Sequence, residues 1–99
     1  MTERRRFRVE GQVQGVGFRV FTAKTANQLG LTGWVCNRLD GSVELMAEGP
    51  VEALQALIHA LHRGPNGARI DMVRALDGDG AEISVAENMP ATFEIWSTR

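Results

Sequence analysis

Cysteine is almost missing from this chain. Cys36 stands alone among 99 residues, so neither an internal disulfide nor a multi-thiolate metal centre is available. The core must hold the fold without a covalent staple. Long hydrophobic runs are also missing: none approaches the roughly 20 apolar residues that cross a bilayer. The start, Met1-Thr2-Glu3-Arg4-Arg5-Arg6-Phe7, is basic but leads into no apolar stretch. Neither a secretory nor a twin-arginine signal is expected, and the cytoplasm is the expected compartment. A large charge of one sign is absent too. The net charge of −1 and a hydrophobic fraction of 43% exclude the apolar-poor, highly charged composition of a disordered chain. The length leaves room for one domain, residues 1–99, with a thin core.

What charge there is lies unevenly. Arg4, Arg5, Arg6, Arg8, Arg19, Lys24 and Arg38 face only Glu3 and Glu10 in the first 38 residues, while the remainder is acidic. All the basic residues except Lys24 are arginine, which suits planar pairing with phosphate or carboxylate. A small anionic substrate near the N-terminal half fits this split. A nucleic-acid binder of this size is more often basic overall.

Phe7, Val9 and Val13 alternate with Arg6, Arg8, Glu10 and Gln12, the period of a half-buried strand over about 4–12. Gly15 and Gly17 break that period. A helix is predicted from Phe18 to Leu29, with Phe18, Phe21, Ala26 and Leu29 near one face and Gly30 as its stop. Residues 31–37 read as a second strand. Asp40-Gly41 signals a hairpin, and Val43, Leu45 and Ala47 alternate with Glu44 and Glu48 in an antiparallel third strand. Gly49-Pro50 opens a second helix with Pro at its first position, and Val51, Leu54, Ile58 and Leu61 form its buried stripe. Ile70, Met72 and Val73 mark a fourth strand. Residues 77–92 are polar and irregular, and Phe93-Glu94-Ile95-Trp96 makes a short last strand. The core order β-α-β-β-α-β predicts an α+β, ferredoxin-like split βαβ fold, an antiparallel sheet covered on one face by two helices.

Chemistry concentrates in Gly11-Gln12-Val13-Gln14-Gly15-Val16-Gly17-Phe18-Arg19. A strand ends, glycines follow and a helix begins, so successive backbone N–H groups and the helix dipole can converge on one anion. Gly15 and Gly17 remove side chains from the approach, and Arg19 in the first helical turn can grip two phosphate oxygens. The third glycine of a dinucleotide fingerprint and the Gly-Lys-Ser/Thr of a nucleotide P-loop are both missing. The competing interpretation is an ordinary glycine turn beside a surface arginine. Asn37, at a strand end before a tight turn, is either a turn residue or a carboxamide that orients water without changing charge.

Four linked segments carry a family resemblance: Val13-Gln14-Gly15-Val16-x-Phe18-Arg19, Leu29-Gly30-Leu31-x-Gly33-Trp34-Val35-x-Asn37, Asp40-Gly41-x-Val43-Glu44, and Gly64-Pro65-x-x-Ala68. Together they resemble acylphosphatase, over about residues 5–75 and again at Phe93-Glu94-Ile95. The resemblance implies the ferredoxin-like fold reached above by element order. It implies hydrolysis of a carboxyl–phosphate mixed anhydride without metal or other cofactor. By motif it casts Arg19 as the phosphate-binding arginine and Asn37 as the residue that positions the attacking water. Gln14, Gly15, Val16, Gly17 and Phe18 would form the loop whose amides cradle the phosphoryl oxygens. Two positions depart from the pattern: Gly17 stands where many members of that family carry a larger residue, and Cys36 where a basic residue is frequent.

Other candidates have plainer interpretations. His59 and His62 have helical i, i+3 spacing but no further ligand nearby, which suits a solvated face. Cys36 is a strand cysteine, Arg4-Arg5-Arg6 a solvated strand start, and Trp34 and Trp96 packing residues. The expectation is a monomeric enzyme with a small acyl phosphate substrate and neither nucleic-acid nor membrane partner. The alternative is a non-catalytic ferredoxin-like module that uses the anion cradle to bind a phosphorylated metabolite or RNA. The first strand has no paired aromatics of an RNA-stacking sheet, which favours the enzyme.

Overall fold

Alternation sets the first strand. In β1 (Thr2–Gln12), Phe7 and Val9 are buried on one side, while Arg4, Arg6, Arg8 and Glu10 are half-exposed on the other. The computed structural model describes residues 2–76 and 90–99. Beyond β1 come α1 (Phe18–Gln28), β2 (Thr32–Asn37), β3 (Val43–Pro50), α2 (Val51–Arg63), β4 (Arg69–Ala75) and β5 (Phe93–Ile95). The strands form one sheet in the order β4-β1-β3-β2-β5. The units β1-α1-β2 and β3-α2-β4 are therefore interleaved split βαβ motifs, each with a strand of the other between its own two.

The α+β, ferredoxin-like expectation holds, with one refinement. β1, β3, β2 and β4 pair antiparallel, but β5 lies parallel to β2, so the sheet is mixed. β5 runs antiparallel to β4 but at the opposite edge, and that direction is parallel to β2. Such a long-range pairing has no local sequence signal. Most of the irregular 77–92 segment, residues 77–89, lies outside the described residues. Among the described residues no helix is long and apolar enough to cross a membrane.

Both helices cover one face. Phe18, Ala26, Leu54, Leu57 and Leu61 pack there on Phe7, Val9, Val35, Val43 and Leu45, which are nearly or completely removed from solvent. The stripe of α2 is centred differently from the predicted one: Leu57 and Ala60 join Leu54 and Leu61, while Val51 and Ile58 are only half-buried. Pro50 is the residue before the helix (φ −61°, ψ 147°), not its first turn, and still supplies a fixed φ there. On α1, Thr22 and Ala23 are buried alongside Phe18 and Ala26; Thr22 satisfies its hydroxyl by donating to the Phe18 carbonyl at 2.9 Å.

Among the described residues no helix covers the opposite face. Trp34, Cys36, Met46 and Trp96 form a second, smaller apolar cluster there. Gly33, beside it in β2, is required by its backbone and by space. Its φ is 143°, and a Cβ would stand 1.9 Å from the Met46 carbonyl oxygen on β3. Neither atom can yield without opening the β2–β3 ladder. Gly33→Ala should therefore cost about 3 kcal/mol or more, near the upper range for single substitutions. Equilibrium urea unfolding measures this, and a loss under 1 kcal/mol (about a third of that expected) would contradict the argument.

Candidate active site

The chain between β1 and α1 turns on two glycines. Gly15 has φ 77°, and Gly17 sits in the left-handed region (φ 78°, ψ 19°) as the residue preceding α1. Side chains rarely adopt this conformation, and a Cβ at either position would point into open space. The space is free for a ligand. No side chain caps α1, and no acidic residue lies in its first turn. Among the described residues, the backbone N–H groups of Gly15, Val16, Gly17, Phe18 and Arg19 donate to nothing. The first intrahelical bond at this end is from the Phe21 N–H to the Gly17 carbonyl, at 3.0 Å. A helix start with free donors and a partial positive charge of about half a unit is an anion receptor.

Arg19 occupies the second position of α1, half-buried. Among the described residues it makes no ion pair, whereas Arg4, Arg6, Arg8 and Arg38 all meet carboxylates on the open face. Its charge is nevertheless felt at the end of β2. Burial pushes the Cys36 thiol above its ordinary range and Glu44 adds to the rise, while Arg38, Arg99 and Arg19 pull the other way.

Asn37 is the last residue of β2, and alternation puts it on the helix-bearing face with Val35. Its Oδ1 is buried and has no hydrogen-bond partner among the described residues. Buried polar oxygens are normally paired, so this one calls for a water or ligand. The cradle and Asn37 are held together by Gln14. Its Nε2 donates to the carbonyls of Arg38 and Ser42, both at 2.8 Å. Those residues frame the turn after Asn37, where the Arg38 N–H also donates to the Ser42 carbonyl at 2.8 Å. Asp40 stiffens that turn by accepting from the Ser42 N–H and hydroxyl at 2.9 and 2.6 Å, which holds its own carboxyl below the usual range.

Gln14 thus differs from the other cradle candidates: its side chain is a clamp. Gln14→Ala should leave the fold intact but let the loop drift from Asn37, lowering kcat/KM about tenfold, the cost of roughly one lost hydrogen bond to a fixed geometry. Steady-state kinetics beside thermal unfolding separates the two effects. Unchanged kinetics would remove the clamp from the site.

Sequence reasoning missed this clamp and also the use of Arg38. Arg38 is on the open face with its Nε 3.6 Å from Glu44 Oε1, the face that also carries Cys36, so both positions lie across the sheet from the Asn37 side chain. His59 and His62 are exposed on α2, and no cluster of metal-ligating side chains occurs among the described residues. Arg4, Arg5 and Arg6, read as a solvated strand start, pair with Glu48, Glu3 and Glu44. A cleft of about 410 Å³ between the hairpin and β4 is walled by Glu10, Asp40 and Asp71 against a single Arg69. That excess of carboxylate suits a phosphate dianion poorly.

The fold is that of a small ferredoxin-like α+β protein, and its candidate site combines, among the described residues, an uncapped helix start, an arginine without an ion pair and an orphaned carboxamide. Known proteins narrow that class. Residues 5–94 match the family model described as Acylphosphatase. An acylphosphatase of Salinibacter ruber is 53% identical over 76% of this chain and 79% of its own length. One from Rhizobium etli is 46% identical over 91% of this chain and 89% of its own. The solved structure of an acylphosphatase from Coxiella burnetii superposes with a TM-score of 0.81 at 35% identity, covering 96% of this chain and 93% of that one. The chain belongs to the acylphosphatase family, enzymes whose substrates are acyl phosphates.

Proposed function

We propose that this enzyme hydrolyses the carboxyl–phosphate bond with the Gly15–Arg19 amides and the Arg19 guanidinium holding the phosphoryl group and Asn37 holding the water. Gln14 fixes the cradle, and Val16 and Phe18 anchor it by packing into the core. The observation that carries the reading is a set of complementary groups that Gln14 ties together: among the described residues, five free N–H donors and a cation without an ion pair on one side, an orphan acceptor on the other.

Phosphoryl transfer asks mainly for positioning and charge stabilisation. The cradle supplies donors to the non-bridging oxygens, where negative charge must be held as the transferring group moves. Asn37 Oδ1 accepts a hydrogen bond from water and turns a lone pair toward phosphorus. The water oxygen–phosphorus bond forms, the phosphorus–acyl oxygen bond breaks, and the electron pair leaves on the carboxylate. That leaving group is a weak base and needs no protonation. The water proton passes to a phosphoryl oxygen, so no histidine or carboxylate base is required. Nor does any step call on a metal.

The test is turnover of a simple aromatic acyl phosphate in the presence of a metal chelator. Equal rates with and without chelator are expected. A loss of activity restored by a divalent cation would overturn the metal-free scheme.

A further inference from the structure

Behind Asn37, on the open face, lies a second polar cleft of about 190 Å³. Arg6, Trp34, Cys36, Arg38, Glu44 and Arg99 line it. Among the described residues its walls carry the guanidinium groups of Arg6, Arg38 and Arg99 and the carboxylate of Glu44, which Arg8 approaches from the side. Glu44 is 1% exposed, with Oε2 accepting from Arg6 Nε at 2.6 Å. Its Oε1 is 3.6 Å from both Arg8 and Arg38, and makes no hydrogen bond among the described residues. The indole Nε1–H of Trp34, which is 8% exposed, is likewise without an acceptor. The Trp34 ring is braced by Trp96, stacked at 4.8 Å and 11°, and Arg99 lies 4.5 Å over Trp96.

These orphans form a pattern. A cationic cleft wants an anion, the indole N–H wants an acceptor, and the buried carboxylate oxygen wants a donor. A single small species meets all three: an oxyanion that still carries a proton. We infer that this cleft is a second, non-catalytic site for hydrogen phosphate, in which Glu44 Oε1 accepts the ligand's O–H while Trp34 Nε1–H, Arg38 and Arg99 donate to its oxygens. Arg38 and Arg99 are the accessible part of the wall and swing to admit the anion. Glu44 makes the site selective. Sulfate matches phosphate in size and charge but has no proton to offer at neutral pH, and its oxygen would face the carboxylate. The site is independent of the cradle, on the other side of β2.

The experiment is a phosphate titration of nitrogen-15-labelled protein followed by heteronuclear NMR. The chain has two tryptophans, so two indole N–H signals report the cleft, while the amides of Gly15 and Gly17 report the cradle. Trp34→Phe assigns the signals. A saturable shift of the Trp34 indole is expected with phosphate, and none with sulfate. It should persist in Arg19→Ala, where the cradle amides lose their response, and weaken about tenfold in Arg99→Ala, as for one charge-assisted hydrogen bond. In Glu44→Gln, sulfate should bind as well as phosphate. Arg99 is exposed, so its variant remains informative if Glu44→Gln fails to fold. An unmoved indole, an equal response to sulfate in the wild type, or loss of the indole shift in Arg19→Ala would each overturn the proposal. Cradle amides that stay silent while the indole shifts would count against the active-site reading alone.

Discussion

Arg19→Ala is expected to lower kcat/KM by at least about 10²–10³, the loss seen when one preorganised donor to a developing anion is removed. The side chain is well suited to such a test. It pairs with no carboxylate among the described residues, so its removal leaves no buried charge behind and should hardly alter stability. Because the guanidinium holds the phosphoryl group in both ground and transition states, KM should rise as kcat falls. Inorganic phosphate should also inhibit more weakly. Arg19→Lys keeps the charge but not the planar fork, and should recover only part of the loss. A folded Arg19→Ala enzyme with near-wild-type kinetics would remove Arg19 from the site.

Asn37→Ala is expected to do comparable damage with a different signature. The carboxamide meets the water and not the phosphoryl group, so kcat should fall by about 10²–10³ while KM and phosphate inhibition change little. The orphaned Oδ1 is lost with the substitution, so an unsatisfied buried acceptor is relieved and stability should hold or rise slightly. Asn37→Asp keeps the shape and the acceptor but sets a negative charge before an anion, and should not restore turnover. The contrast between the two positions, KM moving at one and not at the other, carries more information than either loss alone.

Much of the fold was readable because its determinants are local. Alternation in Phe7 and Val9, the stop at Gly30 and the Asp40-Gly41 turn each act over a few residues, and the strands and helices stand where those signals put them. The candidate site was readable for a related reason: Gly15, Gly17 and Arg19 lie within five residues, and motif order added Asn37. What stayed hidden depends on register and crossover. Glu44 gathers Arg6 and Arg8 from β1 and Arg38 from beyond β2 only because β3 lies between those strands with Arg8 opposite Glu44 and Cys36 opposite it on the other side. The parallel pairing of β5 and the reach of Gln14 to carbonyls 24 and 28 residues away have no local periodicity to announce them. Leu57 escaped the predicted stripe because several apolar residues of α2 share the core side, and only packing decides which is central.

The central claim is that Asn37 delivers water to phosphorus while the cradle and Arg19 hold the phosphoryl oxygens. Hydrolysis of an aromatic acyl phosphate in water enriched in a heavy oxygen isotope tests it most directly, read by mass spectrometry of both products at partial conversion. One labelled oxygen should appear in the inorganic phosphate and none in the carboxylate, with the same distribution in whatever turnover Arg19→Ala and Asn37→Ala retain above background. Label in the carboxylate would mean attack at the acyl carbon, and Arg19, Asn37 and the cradle could not then play the parts proposed for them.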